Sequence, residues 1–146
     1  MALSLVRRNL WLKEKTFLKR IKHETQCMKK KILIIDDDND LQEVFPLMFK
    51  HKDYELKPLL DIENIDEIIS SYKPDLILLD IWIGKIDGRV VCNYLKSHES
   101  TAHIPILLIS AILIDIDDAH CRPDAIMQKP FEMEELINMM DELLAE

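Results

Sequence analysis

The stretch Lys31-Ile32-Leu33-Ile34-Ile35-Asp36-Asp37-Asp38 decides how the rest of the chain is read. Four consecutive apolar residues without polar alternation mark a strand covered on both faces, as in a parallel sheet flanked by helices. The run then ends in acids. Similar runs recur as Leu76-Ile77-Leu78-Leu79 before Asp80, Ile106-Leu107-Leu108-Ile109 before Ser110, and Ile126-Met127-Gln128 before Lys129. Parallel strands in an open α/β sheet present their C-terminal ends along one edge, where ligands bind. One edge is therefore predicted to gather carboxylates, a hydroxyl and an ammonium. That set suits a divalent cation and a phosphoryl group.

Outward from this stretch, strand and helix patterns alternate from Met28 onward, which predicts βαβ units. Strands are expected near residues 31–36, 54–59, 75–81, 104–110 and 125–128. A first helix is capped by Asp38, Asn39 or Asp40 and turns Leu41, Val44, Phe45, Met48 and Phe49 inward. Pro46 within it predicts a kink or a late start. A second helix covers about 62–71, and a third starts near Asp87 with Val90, Val91, Tyr94 and Leu95. The last, from about Glu132, aligns Met133, Leu136, Ile137, Met140, Leu143 and Leu144. Residues 111–124, with Asp115, Asp117, Asp118 and Pro123, carry no clear pattern. The fold class predicted is α/β, with five parallel strands, about five helices on both faces and right-handed crossovers.

At 146 residues and 48% hydrophobic content, the chain suits one domain with one core. No apolar stretch reaches the roughly 18 residues needed to span a bilayer. The cysteines Cys27, Cys92 and Cys121 lack CxxC spacing and read as free thiols of a cytoplasmic protein. Residues 1–27 hold seven Lys or Arg against two Glu, whereas residues 28–146 hold twelve against twenty-five Asp or Glu. The acidic body argues against direct contact with nucleic acid. The charge step sets a boundary at Met28. The basic residues before it, interleaved with Leu3, Leu5, Trp11, Phe17 and Leu18, read either as an amphipathic helix or as an unstructured extension.

Asp36, Asp37 and Asp80 stand at the ends of the first and third strands, which places three carboxylates close together if those strands are neighbours. Such charges raise one another's pKa unless a cation intervenes. Mg²⁺ takes one or two carboxylates, with waters and phosphate oxygens completing its shell. Asp80, after a central strand, is the best candidate nucleophile for an aspartyl phosphate. Lys129 would neutralise phosphoryl oxygens, and the Ser110 hydroxyl would donate to one. Asp75 begins its strand, about 16 Å from the other end, and is excluded from the edge. Singly, each residue has a plainer role: a helix cap for Asp36–Asp40 or for Ser110, a turn for Asp80, a surface cation for Lys129. The four together are far more specific. An EF-hand reading fails, because Leu41 and Leu47 stand where Gly and Glu are needed.

These motifs, with Pro74-Asp75 ahead of the third strand's run, Asp87-Gly88 after it, Ile104-Pro105 and Ala111 around the fourth strand, and Lys129-Pro130-Phe131, resemble the receiver domain of two-component response regulators over residues 29–146. The resemblance implies a flavodoxin-like doubly wound sheet of order 2-1-3-4-5. It implies that a histidine kinase or phosphotransfer protein passes phosphate to Asp80. Asp36, Asp37, Asp80 and the Trp82 carbonyl would hold Mg²⁺, Ser110 and Lys129 would contact the phosphoryl group, and Lys129-Pro130 would be cis. A stand-alone domain of this kind signals through a separate downstream protein, is not itself an enzyme, and in this family often pairs as a homodimer. The chain departs from the pattern at Ile83-Gly84, at Ile126 in place of an aromatic, and in the short segment 111–124, where a truncated helix is expected. Bulky Trp82 and Ile112 at positions that set dephosphorylation predict a long-lived phosphoryl state. Two other readings remain: a haloacid-dehalogenase-like phosphatase using Asp36, and a degenerate receiver that only docks.

Overall fold

The computed structural model describes residues 29–112 and 121–145. The elements are β1 (Lys30–Ile35), α1 (Asn39–Met48), β2 (Tyr54–Leu59), α2 (Ile65–Tyr72), β3 (Leu76–Asp80), β4 (Trp82–Ile83), β5 (Ile86–Asp87), α3 (Gly88–Ser97), β6 (Ile106–Ser110), β7 (Ala125–Gln128) and α4 (Met133–Leu143). Five strands form one parallel sheet in the order β2-β1-β3-β6-β7. This is the predicted 2-1-3-4-5 arrangement. The expectations for the extension before Met28 and for a truncated helix in 113–120 fall outside the described residues.

The continuous apolar runs are explained by which face each residue covers. Leu33, Ile35, Ile77, Leu79, Ile106 and Leu108 pack under α2 and α3. Their neighbours Ile32, Ile34, Leu76, Leu78, Leu107 and Ile109 pack under α1 and α4. Successive strand residues point to opposite faces, so a strand buried on both sides needs apolar residues throughout. Strand β2, at the sheet edge, has no fully buried residue and tolerates Pro58.

Two helices present narrower faces than their patterns predict. In α1, Phe45 and Phe49 fill the contact with the sheet, while Val44 and Met48 remain exposed and the Leu41 side chain lies outside the described residues. In α3, Gly88, Val91, Cys92 and Leu95 face inward. That spacing turns Val90 to the opposite side, 65% exposed, and leaves Tyr94 on the flank, bonded to Asp66 at 2.8 Å. Pro46 causes no late start: α1 begins at Asn39, capped by the Asp38 carboxylate on the Asp40 amide, and runs through the proline. The hairpin of β4 and β5 had no signal in the sequence, being only two residues per strand.

Candidate functional site

The sheet register brings the predicted strand ends to one level. Ile35 pairs with Leu79, Asp80 with Ile109, and Ser110 with Gln128. Asp36 therefore follows β1 beside the end of β3, and Lys129 follows β7 beside Ser110. The Asp36 amide donates to Leu59 O at 3.1 Å and the Lys129 amide to Ser110 O at 2.7 Å, which fixes both residues just beyond the ladder. The Lys129-Pro130 peptide is cis.

Lys129 Nζ bridges two carboxylates, at 2.6 Å from Asp80 Oδ2 and 3.0 Å from Asp36 Oδ2. Both acids are almost fully buried. Each also accepts from the backbone two residues on: Asp36 Oδ1 from the Asp38 amide at 2.9 Å, and Asp80 Oδ1 from the Trp82 amide at 3.2 Å. Asp37 is exposed and accepts instead from the Gly84 amide at 2.9 Å. The three carboxylates expected together are thus divided, two on Lys129 and one on the β4–β5 turn. Ser110 is fully buried; its hydroxyl donates to Ile112 O at 2.6 Å and accepts from the Ile112 amide at 3.1 Å. It closes a small loop above β6. The side chains of Trp82 and Ile112 stand half exposed at the rim.

Burial pushes the Asp36 carboxyl above its ordinary value, and the Asp80 charge adds to this. The Asp38 amide and Lys129 oppose the shift without cancelling it. Burial acts to lower the Lys129 ammonium, but its hydrogen bonds to Asp80 and Asp36 outweigh that and hold it above the usual range. Two buried carboxylates thus converge on one ammonium.

The motif Asp87-Gly88 requires its glycine for a packing reason. A Cβ there would lie 2.0 Å from Asp80 O, and the Gly88 amide donates to Ile81 O at 2.6 Å. The start of α3 thus packs directly on the backbone that carries Asp80, and only glycine permits the approach. The signal available in sequence was scarcity: the chain has 2 glycines.

Among the described residues, no three His, Cys, Asp or Glu side chains are grouped to hold a metal ion. Mg²⁺ does not need three, since one or two carboxylates suffice when water and phosphate oxygens complete the shell. Asp36 and Asp80 are hard oxygen donors on one cation, so the donor set fits that ion.

The family model for the response regulator receiver domain matches residues 32–141, and the chain belongs to that family. It is 32% identical over 117 residues to the DNA-binding dual master transcriptional regulator RpaA of Synechocystis, an alignment covering 78% of this chain and 48% of that protein. The chain spans about half the length of the curated relatives it matches. The solved structure of a chain assigned as a response regulator from Chloroflexus aurantiacus superposes with a TM-score of 0.72 at 28% identity, covering 80% of this chain and 98% of the other. A fold match at 20% identity and TM-score 0.69, covering 80% and 98%, is the receiver domain of the Pseudomonas aeruginosa sensor histidine kinase PA1611, solved with magnesium coordinated in its active-site cleft. Among the described residues, no helix is long and apolar enough to cross a membrane.

Proposed function

We propose that this receiver accepts a phosphoryl group on Asp80 from the phosphohistidine of a kinase or phosphotransfer protein, and that the acyl phosphate alters binding to a separate partner protein. The observation that carries this reading is the sharing of Lys129 Nζ by Asp80 and Asp36 at 2.6 and 3.0 Å. In the transfer, an Asp80 carboxylate oxygen forms a bond to phosphorus as the phosphorus–nitrogen bond breaks, and the electron pair leaves with the imidazole. Lys129, already against Asp80, would move its charge onto the incoming phosphoryl oxygens. Ser110 would exchange its bond to Ile112 O for one to the phosphoryl group. Asp36, Asp37, Asp80 and the Trp82 carbonyl would hold Mg²⁺, which supplies neutralisation of charge on the transferring group. Any catalysis would be limited to the protein's own phosphorylation and dephosphorylation. The partner is taken to be a protein because residues 28–146 are strongly acidic.

Intact-mass measurement after incubation with acetyl phosphate and Mg²⁺ tests this. One phosphate is expected on the native chain, and none on Asp80→Asn. Uptake that survives Asp80→Asn but not Asp36→Asn would point to the phosphatase-like use of Asp36, and no uptake at all to a docking role. The adduct on the native chain should persist for minutes or longer, because exposed Trp82 and Ile112 crowd the approach of water; loss within seconds in Mg²⁺ buffer would refute that.

A further inference from the structure

Helix α4 borders a groove of about 490 Å³ along one edge of the sheet. Its floor is Ile126 and Met127 of β7, Phe131 of the following loop and Met139 of α4. Strand β7 pairs with β6 alone, so its outer side carries no further strand among the described residues. Glu135 and Glu142, both exposed, stand on the α4 wall about two turns apart, or about 10 Å. Glu135 Oε2 accepts from the Glu132 amide at 3.3 Å. Neither acid forms an ion pair among the described residues. An apolar floor beside two carboxylates without a cation fits an occupant that is apolar on one side and basic on the other.

The chain itself contains such a segment. Residues 1–27 hold seven Lys or Arg against two Glu. Leu10, Phe17 and Ile21, with Trp11 and Leu18, recur at spacings that gather apolar side chains on one side of a helix. Lys13, Lys15, Lys19, Arg20 and Lys22 are interleaved with them. The segment joins the body beside one end of the groove. The Lys30 amide at the start of β1 donates to Asp53 O at 3.0 Å. On either side of Asp53, Lys52 Nζ lies 3.6 Å from Asp141 Oδ2 and the Tyr54 hydroxyl bonds to Asp141. Asp141 immediately precedes Glu142. From there, residues 22–28 can span about 23 Å when extended, more than twice the distance between the two acids.

We propose that residues 10–21 dock in this groove of their own chain, with their apolar side on Ile126, Phe131 and Met139 and their cations against Glu135 and Glu142. Residues 28–146 hold twelve Lys or Arg against twenty-five Asp or Glu, so the attraction extends beyond those two acids. Gln128 and Phe131, which line the groove, bracket Lys129 in sequence. The docked segment therefore lies against the loop that carries the cation shared by Asp36 and Asp80. Docking uses neither phosphate nor Mg²⁺, so it stands or fails separately from phosphoryl transfer.

The test uses the full chain carrying Trp82→Phe, which leaves Trp11 as the sole tryptophan. Acrylamide quenching of its fluorescence reads its shielding. Glu135→Lys with Glu142→Lys should raise the quenching constant at least about 2-fold. Lys19→Glu with Arg20→Glu should do the same while changing no residue of the described body. Combining both pairs should restore the shielding, because the charges are then exchanged. Circular dichroism checks folding, and the segment reversal decides the matter if the groove reversal unfolds the body. To locate the contact, p-benzoylphenylalanine replaces Trp11 in an equal mixture of unlabelled and heavy-nitrogen-labelled chains. Illumination should join residue 11 to residues 126–142 within peptides of a single label. Cross-links between differently labelled chains would overturn the proposal in favour of a second copy on the groove. Cross-links elsewhere on the body, or none, would also overturn it, as would equal quenching in the parent and the segment reversal.

Discussion

At the N-terminal edge of the sheet, Asp75 and Asp124 each complete a ladder, whereas at the C-terminal edge Asp36 and Asp80 converge on a shared cation. The Asp75 amide donates to Lys31 O at 2.8 Å while its Oδ2 accepts from the Lys31 amide at 2.7 Å. Asp124 repeats the device, donating to Ile106 O at 3.0 Å and accepting from the Ile106 amide at 2.7 Å. Both stand one residue before a strand, where the neighbouring strand offers an amide that no backbone carbonyl meets. Lys96 Nζ completes Asp124 at 2.6 Å. These acids are satisfied by the fold itself. At the opposite edge, the strands end in acids that share Lys129, and each also accepts from a local amide. The same residue type closes ladders at one edge and gathers on an ammonium at the other.

The sharpest way to break that contrast is to remove the tight approach that holds the C-terminal edge together. Gly88→Ala places a Cβ on the Asp80 carbonyl, and a loss of about 3–4 kcal/mol is expected in urea unfolding. A loss under about 1 kcal/mol would show that the backbone there is not constrained.

Removing the shared cation should come next. Lys129→Met leaves two buried carboxylates without their ammonium, at a cost of about 2–3 kcal/mol at pH 7, reduced on adding Mg²⁺. The pH dependence follows in sign. The folded Lys129 titrates above its ordinary value of 10.5, so its contribution to stability is complete below that pH and is lost as pH rises through the folded value. The raised Asp36 acts in the same direction from its ordinary value of 3.8: protonation favours the fold, and that contribution is lost as pH rises through the raised value. Unfolding curves of Lys129→Met should therefore lack part of the alkaline loss seen in the native chain; an identical alkaline limb would contradict the pairing.

The smallest effect is expected at the other edge. Asp75→Asn keeps a side-chain oxygen for the Lys31 amide and gives up only a partly exposed charge 3.9 Å from Lys30 Nζ. It should cost about 1 kcal/mol or less and leave phosphate uptake unchanged. A loss as large as that of Lys129→Met would erase the distinction between the edges.

The apolar runs determined the parallel sheet and the four strand ends Asp36, Asp80, Ser110 and Lys129, while its strand order came from the family resemblance. A strand buried on both faces leaves little freedom in composition, and its last residue must lie at the edge. Helix faces were less legible. Val44, Met48 and Val90 are apolar but exposed, since periodicity counts hydrophobic side chains and cannot tell which of them the sheet has room to cover. Tertiary structure alone decided the rest: that Lys129 bridges Asp36 and Asp80, that Asp37 turns to the Gly84 amide, and that Gly88 must be bare. Each of these depends on distances between segments far apart in the chain. Spacing along a sequence constrains which edge a residue occupies; only packing fixes which neighbour its charge finds there.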